Sequence, residues 1–188
     1  GLRYGVIETP EKYYLNWKEE TGIRNKLDNS LSVLCKKERF LELIHDFIVF
    51  DMGQKKIARH NQYFAVKETQ KKLNKREGGI IWHTQGSGKT LTMIWVAKWI
   101  RENKSDSRVL IITDREELDD QIEQRFYGID EAIYRTKSGK DLIKKLDNAE
   151  PWLICSLIHK FGRTQSEQED DFVEIFSKIP KDFKAKGD

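Results

Sequence analysis

The sequence has little of what membrane-spanning, secreted or zinc-binding proteins need. Its 188 residues include two cysteines and three prolines, and no apolar run approaches the ~20 residues that cross a bilayer. Cys35 and Cys155 lie far apart in apolar surroundings, without a CxxC pair or a Cys/His cluster, which argues against a zinc site. We therefore expect two buried, reduced thiols in a cytoplasmic protein without a secretory leader or a membrane partner.

The chain also has little net excess of either sign of charge. Charged residues make up 35% of the chain and hydrophobic residues 38%, but the formal net charge is only +3. An excess this small does not by itself indicate a nucleic-acid partner. The length fits one domain, or one domain and a piece of another.

The first 29 residues differ from the rest. They carry two candidate strands, 6–8 and 13–17, followed by a polar stretch, and we interpret 1–29 as the tail of a preceding domain. A second unit, 30–188, starts with apolar residues at i, i+3 and i+4 spacings, which predict one or two amphipathic helices before residue 50. A further helix is expected at about 61–74.

From residue 79 onward, strands and helices alternate. Strands are predicted at 79–82, 109–113, 132–134 and 152–155. Helices are predicted at 89–102, at 116–126, after Ser138 as N-cap, and around 172–176. Thr113 and Asp114 are candidate caps for the helix at 116–126, and Leu118, Ile122 and Phe126 should line its inner face. Apolar strands joined by helices predict an α/β fold with a mostly parallel sheet and helices on both faces.

Residues 83–90 carry the strongest chemical signal. They read His-Thr-Gln-Gly-Ser-Gly-Lys-Thr between a predicted strand and a predicted helix. Two glycines let backbone N–H groups point into one concavity, and the helix adds the positive end of its dipole. His83 stands where the general G-x-x-x-x-G-K-[ST] pattern has its first glycine, but that position only joins strand to loop. The predicted nucleotide-binding residues are Gln85, Gly86, Ser87, Gly88, Lys89 and Thr90.

Two of these residues have specific predicted roles. Lys89 reaches the outer phosphates and is the candidate catalytic residue, while the Thr90 hydroxyl joins the ligand shell of Mg²⁺. A chance glycine–serine loop at the end of a strand is the alternative, but the order strand, loop, helix favours the phosphate site.

Three further segments are weaker by themselves. Gln62, with Arg59 beside it, precedes the loop, and a glutamine amide can pair with the edge of adenine. Arg115 follows one predicted strand, and Ser156 and Lys160 follow another, so these residues are candidates for DNA phosphate contacts at a sheet edge. The alternatives are a surface glutamine, an ordinary helix cap and a simple strand-to-helix connection.

Taken in order, these segments resemble the helicase motifs of superfamily 2, and more specifically the motor subunit of type I restriction–modification enzymes. The resemblance runs from about residue 31 to 161. It is most specific in the His-Thr-Gln lead into the loop and in the pattern Asp-Arg-x-x-Leu-Asp-x-Gln at 114–121. Residues 1–29 more loosely resemble the stretch that joins the family's nuclease domain to its motor.

The resemblance implies part of a RecA-like lobe that binds ATP and Mg²⁺ and moves along double-stranded DNA. Modification and specificity subunits would be its partners, and DNA cleavage would belong to the parent protein. The chain lacks a convincing paired-carboxylate nuclease site, and the family would place Asp-Glu-x-His just after residue 188. We therefore interpret the chain as a fragment, truncated before that motif and inactive by itself.

Other functions remain open at this point. The chain could belong to a different superfamily 2 motor, such as a DNA repair helicase or a type III restriction subunit. From another class, an ATP-binding switch or a small-molecule kinase would have no DNA partner. A kinase is the weakest of these, because nothing in the sequence indicates a lid or an acceptor pocket. An Asp-Glu-x-His segment soon after residue 188 would favour the motor, and its absence the switch.

Overall fold

The structure, a computed structural model, describes residues 2–161, which form two compact units. The first unit extends to Trp99 and the second begins at Ile100. The boundary predicted between residues 29 and 30 falls inside the first unit. Within residues 2–161, no helix is long and apolar enough to cross a membrane.

The first unit combines helices with two small antiparallel strand pairs. Strand β1 (Arg3–Tyr4) pairs with β2 (Leu15–Asn16), and β3 (Ile48–Asp51) pairs with β4 (Gln54–Ile57). The helices are α1 (Lys26–Leu34), α2 (Lys37–Asp46), α3 (His60–Asn74) and α4 (Lys89–Asn103), the last of which crosses the boundary at residue 99. The predicted helices before residue 50, at 61–74 and at 89–102 are thus confirmed.

Local chemistry explains where several of these elements begin and turn. The Asn25 side chain caps α1, because its Oδ1 accepts hydrogen bonds from the N–H groups of Leu27 and Asp28 at 2.8 and 3.3 Å. Met52 and Gly53 both have positive φ, 51° and 76°, which suits a tight turn between β3 and β4.

An aromatic core joins the helices of the first unit. Phe47 is buried between Tyr63 of α3 and Trp95 of α4, with ring centroids 4.6 and 6.1 Å away. Val66 and Ile94 are buried on the same two helices. Packing of this kind fixes the start of α3 relative to α4, and therefore relative to the turn that precedes α4.

The second unit contains the predicted parallel sheet. Strands β5 (Val109–Thr113), β6 (Tyr134–Arg135) and β7 (Leu153–Leu157) lie in the order β5-β7-β6, and both pairings are parallel. All five residues of β7 are buried, as expected for a central strand. Helices α5 (Glu116–Tyr127) and α6 (Gly139–Leu146) connect the strands, and a short 3-10 helix (Ile158–Phe161) follows β7. The Ser138 hydroxyl caps α6 as predicted, accepting from Asp141 N at 3.1 Å.

Two strand predictions were wrong. Residues 79–82 form no strand and pair with none of the strands between residues 2 and 161; Ile80 and Trp82 are 91% and 90% exposed. Apolar composition favours a strand, but a strand forms only where a partner satisfies its backbone groups. The first N-terminal strand is residues 3–4 rather than 6–8, while β2 falls within the predicted 13–17.

Side-chain predictions also need correction. Arg115 occupies the N-cap position of α5 without a capping side-chain bond, so neither Thr113 nor Asp114 caps the helix. Ile122 and Phe126 are buried as predicted, but Leu118 is exposed and Asp119 takes the inner position. Cys155 is buried, whereas Cys35 is exposed at the end of α1. The helix predicted around 172–176 lies outside the described residues.

Candidate nucleotide site and strand-end surface

The turn before α4 has the backbone shape that a phosphate site requires. Gly86 and Gly88 adopt φ of 75° and 82°, values that side-chain-bearing residues rarely reach. Helix α4 begins at Lys89, so its first N–H groups have no partner within the helix and lie beside the turn. Glycines at positive φ and a helix N-terminus together offer backbone donors to an anion.

The Lys89 side chain folds back over this turn. Its Nζ donates to the carbonyl oxygens of Thr84 at 3.1 Å and His83 at 3.4 Å. The Ser87 hydroxyl also donates to the Thr84 carbonyl, at 2.7 Å. Because Lys89 remains exposed, its ammonium group can exchange these neutral acceptors for a charged one without unpacking a core.

Gln62 connects α3 to the same turn. It is only 2% exposed, and its Nε2 donates to the Gly88 carbonyl at 2.9 Å. Its Oε1 accepts from the backbone N–H of Arg59 at 2.9 Å, which closes the first turn of α3. The structure therefore brings Gln62 to the turn, as predicted, with one amide donor and one acceptor already in use.

The remaining predicted nucleotide residues surround the turn. Arg59 is exposed at the N-cap of α3, and Gln85 is exposed in the turn itself. Thr90 is half-buried at the second position of α4. Within the described chain, no group of three or more His, Cys, Asp or Glu side chains could hold a metal ion. Thr90 stays the predicted Mg²⁺ ligand of this turn.

In the second unit, the parallel strands bring two predicted DNA residues to one edge of the sheet. Thr113 of β5 pairs with Leu157 of β7, so both strands end at the same level. Arg115, two residues beyond β5, has a side chain that is 71% exposed and lies 3.7 Å from the Asp114 carboxylate. Lys160 follows β7 in the 3-10 helix and is half-buried.

Ser156 occupies a different place from the one predicted. It is fully buried, and its Oγ accepts a 2.8 Å hydrogen bond from Thr136, which follows β6. Lys160 Nζ donates to the Thr136 carbonyl. Gly139 lies so close that a Cβ there would be 2.7 Å from the Lys160 carbonyl oxygen. These contacts hold the connection after β6 against the end of β7. Ser156 is buried there, and Lys160 is half-buried.

Sequence reasoning missed a fully buried carboxylate of this unit. Asp119 of α5 is fully buried and accepts hydrogen bonds from Cys155 Sγ at 2.5 Å and Arg135 Nε at 2.7 Å. Thr113 Oγ1 lies 3.5 Å away. The cluster joins α5 to all three strands. Its only sequence signal was the Asp119 position in the 114–121 pattern.

The chemistry of this cluster is structural rather than reactive. Burial, and then the hydrogen bond to Asp119, raise the pKa of Cys155 from 9.0 to about 12, so the thiol stays protonated as a donor. Burial opposes the charge on Arg135, but hydrogen bonds to Asp119 and Glu123 outweigh it and raise the arginine pKa. A permanently charged guanidinium thus faces a carboxylate that has no access to water.

The parallel sheet, with the glycine turn that opens α4, defines a partial RecA-like α/β lobe. Comparison with protein families agrees: the SWI2/SNF2 ATPase model matches residues 61–182. The chain belongs to the SWI2/SNF2 ATPase family.

Individual relatives narrow the comparison. A putative type I restriction enzyme endonuclease subunit (MjaIXP) of Methanocaldococcus jannaschii is 31% identical over 89% of this chain and 17% of the relative. The SsaAORF53P endonuclease subunit of Staphylococcus saprophyticus is 34% identical over 85% of this chain and 17% of its own. The HindI endonuclease subunit of Haemophilus influenzae is 33% identical over 64% of this chain and 12% of the relative.

These matches confirm the resemblance predicted from the motifs. They also set its extent, because the chain spans less than a fifth of the length of these relatives.

Proposed function

We propose that this chain is the ATP-binding part of a type I restriction enzyme motor subunit, which moves along double-stranded DNA at the expense of ATP. One observation carries the proposal: Lys89 folds over a glycine turn at the start of a helix, with its ammonium on neutral carbonyl oxygens. Among residues 2–161, that arrangement holds a cation beside several backbone donors with no carboxylate to neutralise it, which suits a polyphosphate.

The residues of the turn would have different roles in binding the nucleotide. Gly86 and Gly88 keep the backbone N–H groups directed at the phosphates, and Lys89 leaves the Thr84 carbonyl to pair with the outermost phosphate. Mg²⁺ bound with the nucleotide would supply further neutralisation, and the Thr90 hydroxyl is the residue of this turn that would hold it. Gln62, Arg59, Gln85 and Ser87 would complete the site around the base and phosphates.

Replacing Lys89 with alanine in the full-length protein tests the nucleotide site. We expect ATP binding and hydrolysis to be lost while the circular dichroism spectrum is kept, since the side chain is exposed. Lys37→Ala removes an exposed lysine at the start of α2 and serves as the matched control. Hydrolysis by Lys89→Ala at the wild-type rate would refute the assignment.

The DNA track is proposed to run over the strand ends of the second unit. Arg115 offers an exposed guanidinium whose ion pair with the exposed Asp114 is long, at 3.7 Å, and Lys160 uses one of its three donors on the Thr136 carbonyl. Ser156 would act indirectly, by holding Thr136 and the connection after β6. Such contacts reach phosphates and not base edges, so they carry no sequence preference.

The double variant Arg115→Ala/Lys160→Ala tests this track. DNA binding by the full-length motor should weaken equally for unrelated sequences, and the slope of log K against log salt should fall by about one for each lost contact. Lys144→Ala, an exposed lysine of α6, is the control. Unchanged affinity and slope would assign the DNA track to another surface.

The parent protein would work in a complex with modification and specificity subunits in the cytoplasm, and would cleave DNA there. The relatives are named as endonuclease subunits of type I restriction enzymes, which supports DNA cleavage by a protein of more than one subunit. A different superfamily 2 motor would share the ATP site but would not depend on a specificity subunit. Copurification of the full-length protein with those subunits separates the two, because a repair helicase would purify without them.

A further inference from the structure

The N-terminal ribbon, defined here as residues 3–19 with strands β1 and β2, packs directly on the start of α3. Its anchor is Trp17, which is 6% exposed. The Trp17 ring lies 5.3 Å from the Tyr63 ring and 5.7 Å from the Phe64 ring, measured between centroids. The Tyr4 ring of β1 also lies edge-on to the Trp17 ring, at 5.8 Å. A segment that reads as a loose tail is therefore built into the first unit.

An arginine of α2 locks this contact. The Arg39 guanidinium lies 4.7 Å from the centroid of Tyr63 and 5.2 Å from that of Trp17. Its Nη1 also donates to Glu19 Oε2 at 2.8 Å, and the same oxygen accepts from Trp17 Nε1 at 2.7 Å. Burial disfavours the Glu19 charge, but these two hydrogen bonds outweigh it and lower the Glu19 pKa. A shared acceptor and a stacked cation hold the indole in one orientation.

A neighbouring residue in the same turn of α3 contacts the nucleotide turn. Gln62 immediately precedes Tyr63, and its amide bonds the Gly88 carbonyl. That carbonyl also accepts from Thr92 N at 3.2 Å. Because a peptide unit is planar, fixing the Gly88 carbonyl fixes the direction of the Lys89 N–H on the opposite edge of the same peptide. This N–H is one of the donors that the proposed phosphate site needs.

We infer that Trp17 is a positioning residue for the nucleotide site, acting through Tyr63 and the first turn of α3 on Gln62 and the Gly88 peptide. The inference rests on the proposed function. Trp17 is not itself a contact of the turn. It therefore affects the orientation of the backbone N–H donors and takes no part in the chemistry at the phosphates.

The test compares Trp17→Ala and Trp17→Phe in the full-length protein. We expect Trp17→Ala to raise the KM for ATP about five- to tenfold and to leave kcat within about twofold. The reason is that less well oriented N–H donors weaken ATP binding by roughly 1 kcal/mol. Trp17→Phe keeps an aromatic ring against Tyr63 and should restore most of the affinity. Val33→Ala, which truncates a buried side chain of α1, controls for general loss of stability. It should leave the KM unchanged.

A double-mutant cycle with Gln62→Ala tests the route. If Trp17 acts through Gln62, the double variant will bind ATP about as weakly as Gln62→Ala alone. Additive effects, or a wild-type KM for Trp17→Ala, would overturn the inference. Should Trp17→Ala fail to fold, Glu19→Ala replaces it in the cycle, since it removes the acceptor that the indole N–H and Arg39 share. A wild-type KM for that variant would equally overturn the inference.

Lys89→Ala separates this inference from the proposed function. If Lys89→Ala binds ATP normally, the nucleotide site itself is misassigned. If Lys89→Ala loses ATP while the Trp17 and Glu19 variants keep a wild-type KM, only the positioning role fails.

Discussion

The glycine turn of the first unit and the strand ends of the second both carry polar groups, but these groups differ in their exposure and in their hydrogen bonding. Around the turn, Lys89 and Gln85 are exposed and the bonds they make are few and exchangeable. At the strand ends, Asp119, Thr136 and Ser156 are fully or almost fully buried and bonded to one another or to neighbouring side chains. The first arrangement leaves donors available for a ligand, whereas the second uses its donors to hold strands and helices together.

This difference separates binding from stability. Substitutions that shorten an exposed side chain of the turn, such as Lys89→Ala, should change the affinity for nucleotide more than folding, because the group removed faces water or the ligand. Substitutions in the buried cluster should change the free energy of unfolding, because each removed group leaves a partner without water to replace it.

The largest effect is expected at Asp119. Asp119→Asn keeps the volume but places amide hydrogens against Arg135 Nε and removes the charge opposite the guanidinium. We expect the free energy of unfolding to fall by roughly 3 kcal/mol, measured by urea titration. Asp147→Asn, an exposed carboxylate at the end of α6, should change it by less than about 0.5 kcal/mol. Equal effects for the two variants would contradict the structural role of the cluster.

The next effect compares the two glycines of the turn in the absence of nucleotide. Both have positive φ, so alanine at either position costs about 1–2 kcal/mol of stability. A Cβ at Gly86 meets nothing within 4 Å, but at Gly88 it would collide with Gln62 Nε2. Gly88→Ala should therefore destabilise the protein more than Gly86→Ala in thermal unfolding.

Adding Gln62→Ala to Gly88→Ala removes the collision. The double variant should consequently be more stable than the sum of the two single changes predicts. Strict additivity would mean that the Gln62 side chain moves aside at no cost.

Elements whose signal is local were predictable from the sequence. The periodic apolar positions of α3, the Ser138 cap and the four apolar residues of β5 each lie within one short segment, and the structure contains all three. The β3–β4 hairpin was missed because β4 is Gln-Lys-Lys-Ile, which does not look like a strand, and its turn is Met-Gly rather than a common hairpin pair.

The features that failed depend on residues far apart in sequence. Residues 79–82 have the composition of a strand, but strand formation needs a partner that the segment itself does not reveal. The burial of Asp119 was likewise not predictable from its helix, because its partners Arg135 and Cys155 come 16 and 36 residues later. The phosphate turn was recognisable because its backbone chemistry lies within eight consecutive residues.

Gln62→Ala should have an intermediate effect and decides what the buried amide does. If Gln62 reads adenine, the KM for ATP rises about tenfold while GTP is little affected, so the ATP/GTP preference narrows. If Gln62 only braces Gly88, both nucleotides weaken by the same factor. Gln70→Ala replaces another buried glutamine of α3 and should leave both KM values unchanged. If both KM values rise and the ATP/GTP ratio is unchanged, the hypothesis that Gln62 recognises adenine is refuted. The hypothesis that it braces Gly88 is then retained.

The smallest effects are expected at the outer partners of Arg135. Besides Asp119, this arginine contacts Asp120 Oδ1 at 2.7 Å and Glu123 Oε2 at 3.0 Å, but these side chains are 57% and 44% exposed. Water replaces them when they are removed, so Asp120→Asn and Glu123→Gln should each lower the free energy of unfolding by less than about 1 kcal/mol. Repeating the urea titrations in 1 M salt should shrink these differences further, because exposed pairs are screened, and should leave the Asp119→Asn difference largely intact. A loss at Asp120 or Glu123 as large as that at Asp119 would show that the arginine, and not burial, determines the strength of each pair.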